Sequence, residues 1–269
     1  MKAIFYSAVI AVIFSQPTAT ATAKPTDAAQ EQAARAKKLM AQHCQRAGER
    51  IDRTVEGVDG ILLLKIRPTA LNYGDQYRLD DPYGRDLGGD GYIESFLSAH
   101  YELPRLYLAR LTPPPPQTSP SQVGYRFVDV VDAATSVRLR YTATIDQPGK
   151  TNPKFSPSYY RLVLASAPAP EPSPRYGVTY DDISTSEDRE HWIAGSSLKV
   201  IDLHENKVIA ERIGYMVDPA QGEKGGGRNP WFMAASWACP AFEGRHATAA
   251  QGGQTLRFVE KVLRPRPGP

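Results

Sequence analysis

The chain is poor in the residue patterns that announce chemistry. It has two cysteines and five histidines in 269 residues. The cysteines do not form Cys-x-x-Cys, which gives no support to a dithiol redox pair. No His-Glu-x-x-His is present, so the usual zinc-hydrolase ligand pair is absent. The serines include no Gly-x-Ser-x-Gly elbow. Glycines cluster at Gly225–Gly227 beside Lys224 and Arg228 but lack the Gly-Lys-Ser/Thr ending of a phosphate loop, leaving a surface loop as the simpler reading. The Asp-rich stretch lacks the Asp-x-Asp-x-Asp-Gly core of an EF-hand. No pattern implies a cofactor or a metal. Charge is nearly balanced, with 32 Lys and Arg against 29 Asp and Glu. That is no nucleic-acid footprint.

The apolar run Ala3–Ser15 falls short of the roughly 20 residues that span a bilayer. It follows Lys2 and precedes the small-residue stretch Thr18–Ala23, which offers alanines at −3 and −1 for cleavage after Ala21 or Ala23. This order is that of a secretory signal over residues 1–23. No cysteine sits just behind it to carry a lipid. The expectation is Sec export to the periplasm, with no stable membrane insertion after cleavage. Residues 24–263 are then expected to form a single domain and residues 264–269 a disordered tail.

Cys44 and Cys239 are the only thiols, and an oxidising compartment favours their pairing. The segment Asp27–Arg50 reads as a helix, with Asp27 and Gln30 as a capping pair. Met40, Cys44, Ala47 and Ile51 repeat at the helical period, which points the Cys44 thiol inward. Between the cysteines the pattern is mostly extended. Val137, Leu139, Tyr141, Ala143 and Ile145 alternate with polar residues, and Tyr125–Val131 precedes them across a turn at Asp132–Ser136. Ser197–Leu203 and Val208–Met216 suggest a second hairpin, with Asn206 suited to a left-handed turn position. Gly60–Arg67, Tyr159–Ala165 and Tyr176–Ile183 are further strand candidates. Short helices are expected at Tyr92–His100, at Glu187–Trp192 (capped by Ser184 or Thr185) and at Thr255–Leu263. The expected class is α+β: a mainly antiparallel sheet with an N-terminal and a C-terminal helix packed on one face of it. An all-β sandwich is the alternative.

Two segments hold candidate functional residues. The loop Leu71–Tyr92 is dense in tyrosine, aspartate and arginine, and Tyr77, Tyr83, Arg85, Asp86 and Asp90 are its candidate binding residues. Rigid aromatics and arginine bury much area for little lost rotamer freedom. The competing reading is a turn-rich connection with its tyrosines tucked onto the sheet. The stretch Tyr180–Trp192 gathers Asp181, Asp182, Glu187 and His191, the carboxylate-plus-imidazole set that general acid–base catalysis needs. Acidic residues in a first helical turn also have an explanation in the helix dipole.

The segments Arg175–Thr185, His191–Leu198, Ala210–Met216, Ala238–Pro240 and Phe258–Leu263 resemble a family of uncharacterised exported proteobacterial proteins with no known activity. The resemblance implies a bacterial envelope location, and no activity or catalytic residue carries over from it. Two readings of function follow. One is a non-enzymatic periplasmic binding protein, for example an immunity or inhibitor protein for an envelope-directed toxin or hydrolase. The other is an envelope glycan (peptidoglycan) hydrolase that uses the carboxylates above. The expected partner is an envelope protein or a glycan, and the near-balanced charge gives no expectation of nucleic acid.

Overall fold

The computed structural model describes residues 27–69, 77, 81–84, 88–97, 124–132, 134–156, 159, 161–242 and 251–266. The proposed signal therefore lies outside the described residues, as do Arg85 and Asp86. An Ala-rich first helix, α1 (Asp27–Cys44), leads into three short strands, β1 (Gly48–Ile51), β2 (Val55–Val58) and β3 (Gly60–Leu63). Helix α2 (Asp90–Leu97) precedes a meander of β4 (Phe127–Val131), β5 (Arg138–Asp146) and β6 (Arg161–Pro168). Next come β7 (Tyr176–Asp182), α3 (Ser186–Glu190) and the hairpin of β8 (Ile193–Asp202) and β9 (Lys207–Val217). The chain continues through α4 (Pro230–Ala234), β10 (Ala238–Cys239), α5 (Gln254–Val262) and β11 (Leu263–Pro265).

Nine strands form one mixed sheet in the order β1-β9-β8-β7-β3-β4-β5-β6, with β10 also paired to β9, and β2 and β11 form a small second sheet. Within the large sheet, β3 lies parallel to both β4 and β7 while the other pairs are antiparallel. The parallel pair β3–β4 is joined through α2, the crossover that parallel neighbours require. The α+β class is thus the one expected, and the sandwich alternative is excluded by the single large sheet. Both expected hairpins form: Asp132 accepts from the Ala134 and Thr135 amides in one turn, and Asn206 takes φ 49° in the other.

The two terminal helices do not share a face. Along a strand, successive side chains point to opposite sides. On β9, Tyr215 and Val217 cluster with Ile193 and with Ala36 and Met40 of α1. The alternate residue Arg212 bonds to Gln254 of α5. Helix α5 (Phe258, Val259, Val262) and helix α2 (Tyr92, Ile93, Phe96, Leu97) share the main core with Val128, Val178, Tyr180, Leu198 and Val200. α1 therefore covers the reverse side of one end of the sheet, contrary to the expected one-sided arrangement.

Several boundaries also differ from expectation, among them the following. α1 stops at Cys44 rather than Arg50, because Gly48 (φ 150°) turns the chain into β1; Ile51 is 37 % exposed there instead of on a helix face. β3 ends at Leu63, short of the expected Arg67. Arg264 and Arg266, expected in a disordered tail, are ordered: β11 pairs with β2, and the two arginines bond to Glu56 and Asp59. Among the described residues no helix is long and apolar enough to cross a membrane.

Candidate functional site

Cys44 and Cys239 form a disulfide with Cα atoms 5.5 Å apart, across 195 residues of sequence. It ties the last turn of α1 to β10. Beside it, His43 is buried and its Nε2 lies 2.6 Å from the Asp188 carboxylate of α3. Arg46 Nη2 lies 2.9 Å from His43 Nδ1. Guanidinium groups only donate, so Nδ1 accepts and Nε2 carries the proton given to Asp188. The imidazole also stacks on Tyr215 at 4.2 Å. Asp188 in turn completes a capping box, accepting from the Thr185 amide while its own amide donates to Thr185 Oγ1. Of the two caps considered from sequence, Thr185 is the one used. α1 and α3 are thus fixed relative to each other, and between them runs a groove of about 300 Å³ lined by Arg35, Lys38, Leu39, Gln42, Glu187 and His191. The α1 residues recur at the i, i+3, i+4, i+7 spacing of one helix face. That face is the one adjacent to the buried residues Ala36, Met40 and His43.

The structure separates the acidic residues that sequence proximity had grouped. Asp181 and Asp182 are neighbours on β7 and therefore face opposite sides of the sheet. Asp181 is exposed and bonded to Lys199 at 2.8 Å. Asp182 is half-buried, paired with Arg189 and accepting from the Ser184 amide at 2.9 Å. Both are committed to fixed partners and do not converge on a common point. Glu187 and His191 do come together: they sit one helical turn apart and line the α1–α3 groove. The buried Nδ1 of half-buried His191 has no partner among the described residues. The groove has two cationic residues and an amide on one wall, with Glu187 and His191 on the other. Such a lining suits hydrogen-bonded recognition of a polar ligand. Among the described residues no group of three or more His, Cys, Asp and Glu is arranged to hold a metal ion.

The Tyr-rich loop divides differently. Tyr77 is 63 % exposed, as a recognition residue requires. Tyr83 is 2 % exposed and belongs to a core with Met216, Trp231 and Phe242, so it is not a surface binding residue. Gly214 explains its fit: a side chain there would run into the Tyr83 ring. Asp90 is exposed at the start of α2, where an acid complements the helix dipole. Partial burial and, secondarily, Asp90 raise the carboxyl of Glu94 one turn on. Asp81, from the same loop, is fully buried against Arg67 at 2.6 Å and Ser196 at 2.7 Å. Burial raises its carboxyl above the ordinary aspartate range, against the pull of Arg67 and Ser196. Arg67 lies 3.9 Å from the Tyr180 ring centre, so this part of the loop is a structural anchor.

No family model, curated protein or solved structure matches the chain. The site therefore rests on its own geometry. Arg35, Lys38, Leu39 and Gln42 belong to no motif that marks α1 as the wall of a site. Their spacing on one helical face was the only available signal. The Gly-rich loop is also internal in purpose: Arg228 closes it by pairing with Asp218, which accepts from the Ala220 and Gly222 amides as well.

Proposed function

We propose that this chain is a non-enzymatic binding protein of the bacterial periplasm, with the α1–α3 groove as its recognition surface. Its partner on this reading is an envelope protein or glycan, and capping an envelope-directed toxin or hydrolase is the role that fits a preformed scaffold. The supporting observation is that Asp181, Asp182 and Asp188 are all spent on partners inside the fold, whereas the groove offers cation, amide, carboxylate and imidazole on walls held by a disulfide and a buried His–Asp bond. Rigid walls lower the ordering cost of binding. Export is part of the reading: the mature protein is expected to begin near Thr22 or Lys24, and the Cys44–Cys239 disulfide is consistent with an oxidising compartment. An intact mass that still includes Met1 after periplasmic fractionation would refute export with cleavage.

The binding test compares envelope extracts and purified peptidoglycan on immobilised wild type and on a Lys38→Glu, Gln42→Glu variant of equal melting temperature. A specific ligand should be retained by the first and lost from the second. Equal retention on both removes the groove from consideration. Because Glu187 and His191 share the groove, the hydrolase reading has one residue pair left to test. Wild type that releases soluble fragments from peptidoglycan, with the activity lost in a folded Glu187→Gln variant, would replace the binding reading with that one.

A further inference from the structure

Strand β6 ends the large sheet, and among the described residues nothing pairs with its outer edge. The phase of its ladder follows from one bond: the Ala169 amide donates to the Arg138 carbonyl at 2.8 Å. In an antiparallel ladder the hydrogen-bonded positions recur every second residue. With Arg140 opposite Ala167 and Thr142 opposite Ala165, the odd-numbered residues of β6 turn their backbone groups toward β5. Leu162, Leu164 and Ser166 turn theirs outward. Natural edge strands are usually kept from pairing by charge, a bulge, short length or proline. β6 carries no charge from Leu162 to Ala167, and its register with β5 is unbroken from Pro168 to Arg161. Proline occupies only its last position. Around its first residues Ile145, Phe155, Tyr159 and Val163 are exposed large apolar side chains.

We propose that β6 pairs antiparallel with β6 of a second copy of this chain, continuing one sheet through both. The strand is self-complementary for this. With Leu164 opposite its own copy and Leu162 opposite Ser166, every outward amide meets an outward carbonyl, and like faces remain together. The charges agree as well. When the internal pairs of Arg161 with Asp146, and of Arg138 and Arg140 with Asp129 and Glu171, are set against each other, Lys150 and Lys154 remain at the leading end of β6 and Asp132 at the trailing end. An antiparallel two-fold arrangement brings those unlike ends together.

Sedimentation analysis of the mature, disulfide-intact chain across the micromolar range tests this. The wild type should reach twice the mass of one chain. Val163→Lys places a cation on the strand in each copy, and Ser166→Pro removes an outward amide without touching the bonds to β5. Each should raise the dimer dissociation constant by about tenfold or more, the first by setting like charges near each other across the seam and the second by leaving a carbonyl of the partner strand unmet. The melting temperature of the isolated chain should stay near that of wild type, which separates lost pairing from lost folding. A wild type that remains monomeric throughout overturns the proposal. So does a dimer that persists undiminished in folded Val163→Lys, since the contact would then lie elsewhere.

Discussion

Tyr77 and Tyr83 lie on one segment and have opposite fates, 63 % against 2 % exposed. Replacing Tyr83 by alanine empties the space beside Phe242 and Trp231, and truncating a buried aromatic costs about 3–5 kcal/mol. A denaturation curve of Tyr83→Ala should show that loss, whereas Tyr77→Ala should stay within about 0.5 kcal/mol of wild type, as exposed substitutions do. Asp202 provides a second residue-scale test. It is fully buried, bonded to Arg175 and Arg53, and accepts from the His204 and Glu205 amides. The Arg175 hydrogen bond leads in lowering its carboxyl from 3.8 to about 2. A depressed carboxyl adds stability that is complete above the unfolded value and is lost as pH falls through the folded one. Asp202→Asn should therefore be less stable than wild type at neutral pH, and the gap should narrow as pH drops from 3.8 to about 2. A gap that stays constant over that window would show that the carboxylate charge is not what matters.

At the scale of elements, α1 is held by two consecutive residues. Cys44 ties it to β10, and His43 ties it to α3 through Asp188. Free-thiol labelling of denatured, unreduced protein should find no reactive cysteine. Replacing both cysteines by alanine should cost up to about 5 kcal/mol in the loop-entropy model, because the closed loop is long. The short helix α3 depends on its cap. Thr185→Ala removes the hydroxyl partner of the Asp188 amide and should cost about 1 kcal/mol. That change also takes the Thr185 hydroxyl away from Asp188 Oδ2, leaving it the backbone amide of residue 185, so the groove wall should loosen and any groove ligand should bind more weakly. Unchanged affinity alongside the expected stability loss would mean that the other bonds of α3, from His43 to Asp188, from Arg189 to Asp182 and from Gln32 to the Glu190 carbonyl, keep it in place.

For the molecule as a whole, the sheet is one surface whose two sides are used unequally. α2 and α5 build the main core on one side, and α1 covers only the β8–β9 end of the other. The strand hairpins were legible in the sequence because their signals are local. Alternation over Val137–Ile145, the Asp132 turn and the left-handed Asn206 all depend on neighbours a few residues away. β1, β2, β10, β11 and α4 were not, since strands of two to four residues carry too little pattern to register. The four strands among them form because β9 or another strand offers them backbone partners.

The candidate site divides along the same line. Helical periodicity was enough to turn Cys44 inward, and compartment and count were enough to pair it with Cys239. Nearness in sequence was enough to group Glu187 with His191, since one lies on α3 and the other at its C-cap. It was misleading for Asp181 and Asp182, which a strand sends to opposite faces. It was equally misleading for Tyr83, whose burial depends on a glycine at position 214 far along the chain. The sequence by itself determined the α+β class, the hairpins, the capped α3 and the disulfide, because local torsional preference, periodicity and thiol chemistry act without knowledge of distant partners. Only the tertiary structure decided that α1 lies across the sheet from α5, that its cationic face forms a wall opposite Glu187, and that β6 is left with an open edge. Those depend on which face of a strand meets which helix, and such a contact exists only once segments far apart in the chain are brought together.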